Sequence, residues 1–70
     1  MIDPNLEMDL EAMIDRHGLT HVVNTLAVIC SEKADHIRSS YGAKDLTAKA
    51  WRADSNTLDR AARRICSDAF

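Results

Sequence analysis

The longest uninterrupted helical pattern in the chain, Thr20–Tyr41 (THVVNTLAVICSEKADHIRSSY), constrains what the rest can fold into. At about 100° per residue, Val23, Leu26, Ala27, Cys30, Ala34, Ile37 and Tyr41 share one face, and Val22 and Ile29 widen it on one side. The arc spans roughly 160°, against the ~100° of an ordinary surface helix. A face that broad can contact two neighbours at once. The segment is therefore expected to be the central helix of an all-α domain, with the flanking segments packed against it.

On the N-terminal side, Asp3 followed by Pro4 reads as a cap and first helical residue, with Asn5 as an alternative cap. A helix over about residues 4–17 follows. Ile2, Leu6, Leu10, Met13, Ile14 and His17 form its apolar face, beside an acidic stripe of Glu7, Glu11 and Asp15. Gly18 supplies the positive-φ residue that commonly ends a helix, and Thr20 is a good cap for the central helix over about residues 20–41. Gly42 closes that helix. The connector of about residues 42–44 is so short that the next helix must run back antiparallel.

Asp45 is placed to cap the third helix, expected over about residues 45–67. Its buried face reads as Ala50, Trp51, Leu58, Ala61, Ala62, Ile65 and Ala69, with Trp51, Leu58 and Ile65 as the anchors. The expectation is a single three-helix domain over residues 1–70. Helices 2 and 3 form a long antiparallel hairpin and helix 1 folds across it.

Size limits how stable such a domain can be alone. A 70-residue chain buries only about 60% of the surface that its unfolded form exposes. Apolar residues are 46% of the sequence, but much of that is alanine, with one Phe, one Trp and one Tyr. Small helical domains compensate with tight packing, metals, disulfides or a partner subunit. Self-association is the expected compensation here, with a further protein partner of unspecified identity. Val22 and Ile29 on the broad arc and Phe70 at the last position are candidate contact residues.

The net charge of −2 conceals a split: residues 1–36 carry seven acids against two bases, and residues 37–70 seven bases against four acids. Such a division serves packing within the fold, pairing between subunits or a charged partner. The acidic opening MIDPNLEMDLE lacks the positive charge and apolar run of a secretory leader. No stretch approaches the ~18 consecutive apolar residues of a membrane span. With two cysteines and no leader, the expected setting is the reducing cytoplasm.

Few positions offer chemistry. His17 and His21 are four apart, the spacing of two ligands on one helical face, but Gly18 between them breaks the helix, so no metal is expected. In a hairpin turning near Ala43, Cys30 faces Asn56 and Cys66 faces Thr20. That offset is roughly 15 Å along the axis, too far for a disulfide. No nucleophile has a base in reach, and neither glycine belongs to a phosphate loop; no cofactor or enzymatic activity is expected.

Two constellations remain. Lys49, Arg52, Arg60 and Arg63 lie within roughly 80° on helix 3 and offer a nucleic-acid surface, disfavoured by the acidic pI of about 5.8. Asp54 falls among the apolar residues of the same helix, and the hairpin count places Lys33 opposite it. A buried Lys33–Asp54 ion pair, within the chain or across a subunit boundary, is the expected consequence.

Overall fold

The computed structural model describes residues 2–42 and 44–66. Three helices account for nearly all of them: α1 (Pro4–His17), α2 (Leu19–Tyr41) and α3 (Leu46–Ala62). The fold is all-α, and α2 and α3 pack along their lengths as an antiparallel hairpin.

The helix ends follow from single residues. The Asp3 carboxylate accepts from the Asn5 and Leu6 N–H groups at 2.9 and 3.4 Å, and Pro4 opens α1 where an N–H is not needed. Gly18, at φ 88°, turns the chain in one step. Its N–H donates to the Ile14 carbonyl at 2.7 Å, while its own carbonyl accepts from Val22 N–H at 3.2 Å. One glycine thus ends α1 and begins α2. Thr20 therefore lies inside the first turn of α2 and is not its cap. Gly42, at φ 102°, does the corresponding work at the other end, donating to the Arg38 carbonyl at 2.9 Å. A Cβ on Gly42 would meet nothing within 4 Å, so the backbone conformation and not crowding calls for glycine there. Asp45 caps α3 through Thr47 and Ala48 N–H at 2.8 and 3.2 Å.

Small residues make the seam of the hairpin. Among the described residues, Ala27 and Ala34 on α2, and Ala48, Ser55 and Ala62 on α3, are the buried ones. Each set repeats every seventh position, which keeps one line of a helix against its neighbour over several turns. Half-buried Trp51 and Leu58 fill the positions between on α3, and half-buried Val23, Cys30 and Ile37 do so on α2. The helices approach closely enough for Ser55 Oγ to donate to the Ala27 carbonyl at 2.8 Å.

The buried face of α3 differs from the one expected by a rotation of about 60°. Ala48 and Ser55 replace Ala50 and Ala61 in the seam, and Asp54 is exposed. Alanine misleads here because it serves equally as a seam residue and as a surface helix former. A serine whose hydroxyl returns to a carbonyl is as compatible with burial as an apolar residue.

α3 also ends at Ala62, sooner than expected. The Arg64 and Ile65 N–H groups reach back only three residues, to the carbonyls of Ala61 and Ala62 at 3.0 and 3.5 Å. With Ser55 level with Ala27, Ala62 comes level with Thr20 in the first turn of α2. Past that level α2 has no further turns to offer the end of α3. Ser67 and Ala69, at the expected end of that helix, lie outside the described residues, as does Ala43 in the connector.

α1 does not fold across the hairpin. It packs on α2 and makes no packing contact with α3, and none of its residues is buried. Leu10 and Ile14 are half-buried, whereas Leu6 and Met13 remain exposed. The radius of gyration is 14.2 Å, against about 11 Å for a compact chain of this length.

Candidate functional site

Two exposed faces stand out, one apolar and one charged. The apolar face begins with a line on α2, half-buried Val22 and then exposed Leu26, Ile29, Lys33 and His36, spaced alternately four and three residues apart. On the helix wheel it lies about 120° from the line that meets α3. Leu26 and Ile29 are exposed although the seam runs alongside them. Next to them, Ile29, Lys33, His36 and Ile37 line an open groove with Trp51 of α3. The Lys33 ammonium stands 5.6 Å from the centre of the Trp51 ring, within cation–π range.

That position corrects the expected Lys33–Asp54 pair. The rotation of α3 brings Trp51 and not Asp54 toward Lys33, and Asp54 faces solvent. With Asp54 in water there is no buried charge to compensate.

The charged face lies on the other side of the hairpin. Arg52 reaches from α3 to α2, donating to Ser31 Oγ at 2.8 Å and to Asp35 Oδ1 at 2.6 Å. Arg38 lies 3.9 Å from the same carboxylate oxygen. Asp35, Arg38, Lys49 and Arg52 line a groove of about 290 Å³ with buried Ala34 and Ala48 and exposed Ala53. Three cations thus line it with one carboxylate. Further along α3, Arg60 donates back to the Asn56 carbonyl of its own helix at 3.4 Å. Arg63 pairs with Asp59 at 3.0 Å. The expected basic face therefore exists, but Arg52 and Arg63 already hold carboxylates.

On α1, Glu7, Glu11 and Asp15 are exposed, and among the described residues they join no ion pair. Phe70 lies outside the described residues. The His17 and His21 rings approach to 5.8 Å between centroids across the Gly18 break, tilted by 37°. Among the described residues, no group of three His, Cys, Asp or Glu side chains is arranged to hold a metal. Cys30 is half-buried and Cys66 exposed.

Asp35 and Arg38, three apart on the central helix, read from the sequence as a possible intrahelical pair and approach to 3.9 Å, whereas Ser31, Ser55 and the meeting of Asp35 with Arg52 were not foreseen. The signal for Ser55 is its place midway between Ala48 and Ala62 in a seven-residue repeat. Asp35 and Arg52 carry no such signal, because their meeting depends on the hairpin register. No helix among the described residues is long and apolar enough to cross a membrane. Comparisons of the chain with family models, with curated proteins and with solved structures returned no match.

Proposed function

We propose that this chain is a small non-enzymatic protein–protein interaction module that self-associates and presents the assembled surface to a larger partner. One observation supports the reading above the others. Among the described residues the buried ones are four alanines and a serine, while nine large apolar side chains are exposed, Leu6, Met13, Leu26 and Ile29 among them. Burying a large aliphatic side chain contributes about 1.5–3 kcal/mol, whereas an alanine has little surface to bury. Completing the core with a second chain recovers stability that a single chain leaves unused. The setting that goes with this reading is cytoplasmic, where both thiols stay reduced.

Sedimentation equilibrium at micromolar concentration tests it, with a dimer or larger species expected. A thermally stable monomer would refute it.

The competing reading, a nucleic-acid-associated regulator using Lys49, Arg52, Arg60 and Arg63, draws support from the exposure of all four along one side of α3 and the turn that follows it. Pairing of Arg52 and Arg63 with Asp35 and Asp59 weighs against it, since those carboxylates sit where phosphates would bind. Titration of a short fluorescent DNA duplex separates the two readings. Binding that falls steeply with salt is the signature of phosphate contacts, and its absence is the outcome expected here.

A further inference from the structure

We infer that the basic groove between α2 and α3 is the docking site for α1 of a second copy of this chain, seated through Met8 and the Glu7–Glu11–Asp15 stripe. The inference rests on the self-association proposed above and names the surfaces that meet.

The two charged surfaces are complementary, and the fold keeps them apart. α1 packs on α2 alone, and every ion pair among the described residues lies within α2, α3 and the turn after α3. The groove holds Arg38, Lys49 and Arg52 against the single carboxylate of Asp35. Its lining therefore carries more positive than negative charge. The α1 stripe holds three carboxylates that join no ion pair among the described residues. Within α1 they repel one another at i, i+4 spacing, and a facing row of cations converts that cost into attraction.

Shape and length agree with charge. Met8, Glu11 and Asp15 are spaced three and four residues apart, so they share one line on α1, with Glu7 beside it. Met8 is 67% exposed. The buried residues of the groove lining are the alanines Ala34 and Ala48, whose small side chains leave room for one flexible side chain, and methionine suits such a gap. Glu7 to Asp15 covers about 12 Å of helix, and Lys49 to Arg60 about 16 Å, so the basic row is long enough to face the acidic one. In a two-fold dimer the contact occurs twice.

Charge reversal tests the contact without touching the seam. The proteins to compare are the wild type, E11K/D15K in α1, R38E/K49E in the groove, and an equimolar mixture of the two variants. Circular dichroism establishes that each retains wild-type helix content, and sedimentation gives the mass. Each variant alone should associate at least tenfold more weakly than the wild type, and the mixture should recover assembly as a heterodimer. Variants that self-associate like the wild type, or a mixture that stays monomeric, overturn the inference and leave the proposed function standing. A monomeric wild type overturns both. Should either variant lose helix content, a salt series on the wild type decides: the dissociation constant must rise as salt screens exposed pairs, and a constant value sinks the contact.

Discussion

The hairpin and α1 are both helical, yet different forces hold them. In the hairpin, five small residues at seven-residue spacing bring α2 and α3 together, and Ser55 ties them with a hydrogen bond between elements. α1 buries no residue and owes its limits to local chemistry: the Asp3 cap, Pro4 at the first position and the Gly18 turn. Helices shorter than about 12–15 residues are marginal in isolation, and a 14-residue α1 sits at that edge. One region is specified by packing and the other by its ends. α1, which contributes least to the core of its own chain, has the most surface to offer another.

The largest effect should come from the hairpin's main anchor. Trp51 is half-buried, beneath Lys33. Trp51→Ala should cost about 2–3 kcal/mol, less than the ~3–5 of a fully enclosed ring. Chemical denaturation at fixed protein concentration checks this. A loss under about 0.5 kcal/mol would mean that the hairpin does not depend on its tryptophan, and the contrast with α1 would fail.

Overpacking separates the two regions more sharply. Ala34 is 3% exposed, so Ala34→Leu forces the helices apart and should cost about 2 kcal/mol. The same change at exposed Ala12 of α1 should stay within about 0.5 kcal/mol. Equal effects at both positions would show α1 to be packed as tightly as the seam.

Those two alanines also explain what was legible in the sequence. Residue type and spacing revealed three helices, the antiparallel hairpin, both aspartate caps and both glycine breaks, because each depends on neighbours within a few positions. Which alanines face inward depends on the partner helix. Ala50 and Ala61 fit an apolar stripe as well as Ala48 does, and Ser55 reads as polar until its hydroxyl is seen on the Ala27 carbonyl. The sixty-degree error in face then carried Asp54 inward on paper. The candidate surfaces divide in the same way. The basic row on α3 and the acidic stripe on α1 follow from helical phase, whereas the Asp35–Arg52 pair and the Lys33–Trp51 contact needed the true register.

The caps should show a smaller effect in both regions, with different consequences. Removing either cap, by Asp3→Ala or Asp45→Ala, should cost about 1 kcal/mol of local helix stability. In α3 that loss is shared with the seam and should appear as a lower denaturation midpoint. In α1, where no residue is buried, it should appear as fraying: less helical ellipticity with little change in the midpoint of the hairpin transition. Hydrogen exchange resolves the two. Protection lost across α1 and kept in α2 and α3 is the expected pattern for Asp3→Ala. Protection lost throughout would mean that α1 folds as one unit with the hairpin.

The smallest effect concerns Lys33, whose partner distinguishes the observed register from the one expected. Had Lys33 met Asp54 away from water, either single substitution would strand a charge and cost about 3–5 kcal/mol. With Asp54 exposed, Asp54→Ala should change stability by less than about 0.5 kcal/mol. A Lys33–Asp54 double-mutant cycle should show additivity within about 0.5 kcal/mol, as expected of residues that do not touch. The cycle between Lys33 and Trp51 should instead show coupling of about 0.5–1 kcal/mol, the range of a cation over an aromatic face at a solvent-accessible site. Lys33→Met retains the aliphatic stem without the charge and separates packing from the electrostatic part: it should lose the coupling but little else. Coupling to Asp54 and none to Trp51 would turn α3 by about 60° on its axis. Asp54 would then return to the seam, Ser55 would leave it, and the groove walled by Arg38, Lys49 and Arg52 would no longer exist in its present form.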